Sequence, residues 1–446
     1  MQPVDSPLPP QEDLFRQQLD NLLNSRHELL RLAQQIPWAP CVERFGPLYA
    51  DRGRPGLPIR LLVGLQYLKH LYALSDDEVV MRWVENPYWQ YFCGERYFQH
   101  ALPIDPSQMT RFRQRIGEGG CERLLQLTIE VGLATKTIQT AHLRQVSVDT
   151  TVQPKAVAFP TDARLYLKGL RTLVREAKRA GLVLRQSYTR LAAQAFLQHG
   201  RYAKAKQMKR ARRMQKKLKV YLGRVYRDVK RKLTTLPELQ ANFQNLLSRL
   251  DRLLSQQRQD KQKLYSVHAP EVECLAKGKA HKPYEFGVKV SVATTQTRNF
   301  IVGMQALAGT PYDGHTLVGQ LEQVKRLTGQ IPSRCVVDQG YRGHGIEPSQ
   351  TEILISRQRR SLTWALKRVL RRRNAIEPII GHMKEDGWLG RNHLKGNLGD
   401  KLNALLCGVG QNLRAILRHL RIFWLQFVMR QETLSRVSMH IVFYPA

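Results

Sequence analysis

Two short apolar runs in this chain each end in an aspartate: Val146-Ser147-Val148-Asp149 and, far downstream, Cys335-Val336-Val337-Asp338. Runs this short and this continuously apolar suit strands covered on both faces, as in a parallel sheet. Parallel strands that each end in an aspartate bring their carboxylates together at the carboxyl edge of the sheet, where open α/β sheets receive ligands. Ile353 to Ile355 reads as a third buried strand. Tyr284 to Thr294 and Phe300 to Leu307 instead alternate apolar and polar residues, which predicts an antiparallel pair joined by a hairpin at Gln296-Thr297-Arg298-Asn299.

The predicted fold class is therefore α/β, with a mixed sheet of the ribonuclease-H-like kind. Before Val146 the pattern is helical. Leu14, Leu19, Leu22, Leu23, Leu29, Leu30 and Leu32 suit one amphipathic helix over about 14–37, and a Gly/Pro-rich turn, Asp51 to Pro58, ends it. Ile59 to Leu74 predicts a helix, and Ser75 with Glu78 predicts a capped start to the next. Pro87 then interrupts before Tyr88, Trp89, Tyr91 and Phe92. Two short helices about a turn fit a DNA-binding module, although these aromatics equally fit a helical core. Arg111, Arg113 and Arg115 are candidate phosphate contacts. The expected organisation is an all-α DNA-binding domain at 1–140, a sheet-bearing domain at 141–423 and a tail at 424–446.

Between the first and second predicted strands lies a helical insertion at about 162–265. Its core, 162–263, holds 28 Lys and Arg against 6 Asp and Glu. That segment supplies most of the formal charge of +35 carried by the 446 residues. A local excess of this size calls for a polyanion, and nucleic acid is the general answer, because each neutralised phosphate releases counterions whatever its sequence. The densest part, Lys204 to Lys217, reads as basic nearly all round, with Lys209, Arg210, Arg212, Arg213, Lys216 and Lys217 as DNA-binding candidates on a helical hairpin. A membrane is the weaker partner: Leu402 to Phe427 is broken by Arg414, Arg418 and Arg421. Met1 to Glu12 is acidic and Pro-rich without a signal-peptide core, so a cytoplasmic, nucleoid-associated protein is expected. The six cysteines lack metal-binding or disulfide spacing and are expected to be reduced and mostly buried.

A third carboxylate, Glu377, follows in Arg371-Arg372-Arg373-Asn374-Ala375-Ile376-Glu377-Pro378. If that segment is helical, Arg373 and Lys384 share a face with Glu377, and Pro378 should kink the helix just after it. Asp149, Asp338 and Glu377 would form a magnesium- or manganese-binding set, because neighbouring carboxylates stay ionised together only with a cation between them. Two such ions about 4 Å apart would activate water or a 3′-hydroxyl and stabilise the leaving oxygen of a phosphodiester. No set of residues suits a tyrosine recombinase.

At these positions the chain resembles DDE transposases of the insertion-sequence-five family. The resemblance rests on Gly53-Arg54-Pro55-Gly56 through Phe92-Cys93-Gly94-Glu95, Asp149-Thr150-Thr151-Val152, Thr161-Asp162-Ala163-Arg164-Leu165, Tyr312-Asp313-Gly314-His315-Thr316, Asp338-Gln339-Gly340-Tyr341-Arg342-Gly343 and the Arg373/Glu377/Lys384 spacing. It implies a DNA transposase whose Asp149, Asp338 and Glu377 hold the divalent ions, whose Arg373 and Lys384 contact double-stranded DNA at element ends and target, and which acts as a homodimer or higher oligomer. Leu370 stands where related enzymes often have a tyrosine. The role of Asp313 and His315 is not fixed by the resemblance, and a turn-forming Asp-Gly is the plainer reading. A metal nuclease without strand transfer, or a non-catalytic nucleic-acid-binding protein, would share these features.

Overall fold

A computed structural model describes residues 17–50, 52, 55–257, 259–261, 263–276, 283–347, 350–356 and 363–441, excepting the side chains of 422–441. Leu14, Gly53, Arg54 and the apolar end Val442 to Tyr444 lie outside the described residues. The chain divides into two compact units, Met1–Pro154 with Lys289–Ala446, and Lys155–Val288.

In the first unit, the single amphipathic helix expected near the start is two helices, Leu19–Leu22 and Glu28–Gln35, and His27 caps the second through its ring nitrogen. The Ile59–Leu71 helix is buried along nearly its whole length, so it serves as the centre of a core and presents no face to a DNA groove. Ser75 and Glu78 form the expected capping box at the start of Asp76–Glu85. Pro87 begins rather than breaks a helix: it occupies the first turn of Pro87–Phe92, where its missing N–H costs nothing. Trp89 and Phe92 go into the core. Arg113 is not a phosphate contact, because it is buried and donates to both oxygens of Asp76 at 2.7 and 2.6 Å. Arg115 lies over the Tyr49 ring, while Arg111 is exposed.

The sheet strands are β1 (Gln145–Pro154), β2 (Glu273–Ala276), β3 (Tyr284–Thr295), β4 (Ile301–Leu307), β5 (Arg334–Val337) and β6 (Glu352–Ile355). β3, β1, β5 and β6 lie side by side in that order, and β4 also pairs with β3. β1 with β5 and β5 with β6 are parallel, whereas β3 and β4 are antiparallel around the turn at 296–299, so the sheet is mixed as predicted. β2 was not anticipated; in the inserted unit it pairs with residues 284–287 of β3.

A long helix, Gly396–Ile441, packs on the Ser107–Ala134 and Ile59–Leu71 helices and on β4. It runs through much of the segment expected to be a tail. Two features let it come so close. At Gly410 any Cβ would collide with the His70 carbonyl, and Asn412 exchanges hydrogen bonds with both the N–H (2.8 Å) and the carbonyl (2.9 Å) of Ile301 while donating to Thr128. All six cysteines are free, and five are buried. Among the described residues no helix is long and apolar enough to cross a membrane.

Among the described residues the inserted unit carries four helices, Asp162–Arg179, Thr189–Lys204, Met208–Leu233 and Pro237–Ser255, around a core that includes Leu170, Leu173, Leu222, Val229 and Leu250. The Met208–Leu233 helix is not basic all round. Ala211, Met214, Leu218 and Leu222 recur at three- and four-residue steps and bury one face, so the basic residues occupy the remainder.

Candidate active site

The register of the parallel pair sets Val146 beside Cys335 and Ser147 beside Val336. Carried two residues further, it brings Asp149 level with Asp338 at the carboxyl end of β5. The third carboxylate comes from elsewhere. A helix ends at Arg373, Asn374 and Ala375 form a turn, and Glu377 lies in the first turn of the next helix, Ile376–Glu385. The break therefore precedes Glu377, contrary to the kink expected after it. Pro378 sits in that same first turn, where its N–H would have no helical partner in any case.

All three carboxylates converge on the Arg373 guanidinium. Its Nη2 lies 3.1 Å from Asp149 Oδ2 and 3.6 Å from Asp338 Oδ2, and its Nη1 lies 3.8 Å from Glu377 Oε1. The surroundings are graded: the side chains of Arg373 and Asp149 are 8% and 18% exposed, against 51% for Asp338 and 65% for Glu377. Burial raises the Asp149 carboxyl above the ordinary range. Arg373 and the Thr150 N–H work against that, while Asp338 and Glu377 add to it. Each aspartate is also held in place. Thr150 N–H donates to Asp149 Oδ1 at 2.8 Å, and the Ser356 hydroxyl, just beyond β6, donates to Asp338 Oδ1 at 2.9 Å. Arg373 Nε is buried without a partner.

Three carboxylates around one compact positive group have the donor chemistry of a hard-cation site, since all offered ligands are oxygens. Among the described residues, however, no group of three His, Cys, Asp or Glu side chains is arranged to hold an ion as it stands. Lys384 is half-buried two turns along the Glu377 helix.

Sequence reasoning left Asp313 unresolved and passed over Lys289 and Ser356. Asp313 opens the Asp313–Thr328 helix and does not form a simple turn. Its Oδ1 accepts from Thr150 Oγ1 and from Lys289 Nζ, both at 2.9 Å. The signal was present in the Tyr312-Asp313-Gly314-His315 motif, but nothing in the chain order joined it to β1 or β3. In the inserted unit, Lys209, Arg210, Arg212, Arg213, Lys216 and Lys217 are all exposed.

Residues 17–115 match the family described as a transposase domain (DUF772). A related protein of Rhizobium meliloti, described as uncharacterized protein ORF8 in nfe locus, is 58% identical over 195 residues, which is 44% of this chain and 94% of that protein. No solved structure matches the chain.

Proposed function

Since the chain belongs to the same family as the Rhizobium meliloti ORF8 protein and carries a transposase-family domain, which points to a transposase role and DNA binding, we propose that it is a DDE transposase of the insertion-sequence-five kind. The observation that carries this reading is the convergence of Asp149, Asp338 and Glu377, from three separate segments, on one guanidinium. A mixed sheet with a parallel β1-β5-β6 half and an antiparallel β3–β4 hairpin supports a ribonuclease-H-like catalytic domain.

The donor chemistry, three carboxylates, suits magnesium or manganese, and Asp149, Asp338 and Glu377 would hold one or two such ions once drawn in around them. Bound there, the ions would supply the charge that activates water or a 3′-hydroxyl and stabilises the departing oxygen. The protein's own part is positional. The Thr150 N–H and the Ser356 hydroxyl each take one oxygen of their aspartate, which leaves the second oxygen to face the shared centre. Burial of Asp149 excludes water from one side, while the exposed Glu377 faces the side from which a DNA strand can enter. Arg373 pulls the Asp149 carboxyl down against its burial, and Lys384 lies further along the Glu377 helix for a phosphate. The exposed Lys209, Arg210, Arg212, Arg213, Lys216 and Lys217 of the insertion bind backbone phosphate, with affinity that falls as salt rises. The amino-terminal helices take part in binding element ends, and two copies bring the two ends together.

The test is cleavage and strand transfer on labelled DNA carrying the ends of the encoding element, with magnesium. Asp149→Ala, Asp338→Ala and Glu377→Ala should each abolish both products yet still bind the ends. Full activity in any one of them would sink the assignment. Cleavage without joining by the wild type would leave a metal nuclease, and binding without either product a non-catalytic DNA-binding protein.

A further inference from the structure

We propose that Asp313 is a positioning residue that ties the strand carrying Asp149 to the turn carrying Asp338 for cation binding, acting through Thr150 and Gly340. The proposal rests on the reading of these carboxylates as a cation site.

Asp313 is the first residue of its helix, yet neither of its carboxylate oxygens serves as a side-chain cap for the helix start. The capping position is Tyr312, with no side-chain capping bond. The carboxylate is used elsewhere. Oδ1 receives Thr150 Oγ1 and Lys289 Nζ, and Lys289 is itself fixed by a second bond to the Pro311 carbonyl at 2.7 Å. Lys289 thus pairs with Asp313 in a half-buried place and holds its carboxylate from the β3 side.

Both catalytic strands are gripped from this one side chain. On β1, Thr150 follows Asp149, and its N–H is the group that holds Asp149 Oδ1. A shift of Thr150 therefore moves Asp149. On the other side, Oδ2 of Asp313 lies against Gly340, two residues after Asp338. A Cβ at Gly340 would stand 3.2 Å from that oxygen, closer than ordinary packing allows. The next residue of the helix repeats the contact, since a Cβ at Gly314 would stand 2.9 Å from the Arg342 carbonyl. Tyr341, fully buried, anchors the turn between these points, and its N–H donates to the Asp338 carbonyl at 3.1 Å. The helix start is thus wedged against the turn that carries Asp338 while it is bonded to the strand that carries Asp149. Groups that orient metal ligands without touching the ion commonly change affinity by about 10–100-fold when removed.

The experiment measures Mn2+ affinity of the full chain by the spin-resonance signal of free Mn2+, with melting temperature and DNA-cleavage kinetics followed in parallel. Asp313→Asn and Thr150→Val, both close in shape to the originals, should each weaken Mn2+ binding by about tenfold or more. Both should lower kcat with little change in KM for DNA, at a melting temperature near that of the wild type. Wild-type Mn2+ affinity in both variants would overturn the proposal and leave Asp313 as a packing residue. Loss of Mn2+ binding in Asp313→Ala with none in Thr150→Val would also overturn it, because Asp313 would then be a ligand itself. If wild type binds Mn2+ no better than Asp149→Ala, the carboxylate site itself fails, and the positioning role with it.

Discussion

Replacing Arg373 by alanine removes a positive group that all three carboxylates share, and the structure sets the size of the effect. The pair with Asp149 dominates: its atoms lie 3.1 Å apart and its side chains are 8% and 18% exposed. Breaking a buried pair from one side costs about 3–5 kcal/mol, because the remaining charge stays buried. The contributions of Asp338 and Glu377, at 51% and 65% exposure, are screened to about 0.5 kcal/mol each at most. Arg373 Nε has no partner, so truncation forfeits no hydrogen bond there. A loss of about 3 kcal/mol is therefore expected at pH 7. Against a typical total of about 5–15 kcal/mol, this is readily seen as a lower urea midpoint. Mn2+ should restore most of it, since a ligand at about a hundred times its Kd adds about 2.7 kcal/mol.

The pH dependence has a definite sign. Asp149 is already raised in the folded protein, so it disfavours folding increasingly as pH rises from its unfolded value through its folded one. Without Arg373, the main influence pulling it down, that range extends further upward. The variant should then recover stability as pH falls through this raised range, where Asp149 takes up a proton. A variant with the wild-type urea midpoint at pH 7, unmoved by either Mn2+ or acid, would refute the view that this guanidinium compensates the carboxylates.

Further outcomes follow from other parts of the molecule. Although burial alone would raise Asp76, Arg113 and Lys69 hold it at about 2. Its contribution to stability is therefore complete above the ordinary 3.8 and lost as pH falls towards 2, so Asp76→Asn should cost about 3 kcal/mol at pH 7 and flatten the acid limb of a stability profile; an unchanged acid limb counts against the pair. Substituting Lys209, Arg213 and Lys216 together by Gln should leave melting unchanged, because all three are exposed, and should reduce the slope of log K against log salt for duplex DNA by about 0.9 for each phosphate that is no longer neutralised. An unaltered slope would move DNA binding off this helix. Gly410→Ala should destabilise the protein by about 1–3 kcal/mol in calorimetry, since its Cβ meets the rigid His70 carbonyl and no flexible side chain can give way.

The strands were legible because two physical signals differ in kind: continuous apolar runs for β1, β5 and β6, and alternation for β3 and β4. The Asp149–Asp338 pairing followed from two such runs ending alike. What the sequence hid were effects that depend on partners far along the chain. The amino-terminal apolar repeat did not reveal the break between Leu22 and Glu28, and Pro378 looked disruptive until the turn at Asn374 and Ala375 placed it at a helix start. Arg113 reads like its neighbours Arg111 and Arg115, and only the approach of Asp76 distinguishes it. Lys204 to Lys217 looked uniformly basic because Ala211 and Met214 are small or flexible among longer residues, and they suffice to bury a face. Thr150, Lys289 and Asp313 stand far apart in the chain, and no local pattern could bring them together.

The unit that carries the three carboxylates is discontinuous, with the inserted unit lying between its two parts in the chain. Its closing contacts link residues hundreds of positions apart: Arg414 donates to the carbonyls of His70 and Leu71, and the Trp388 ring nitrogen to that of Leu74. Chain entropy delays such contacts, whereas the helices of the insertion can form from local ones. As the polypeptide emerges from the ribosome, the basic insertion can therefore be complete while Asp149 still waits for Asp338, Arg373 and Glu377 to be synthesised. On the function proposed above, affinity for nucleic acid would thus arise before any capacity to cut it.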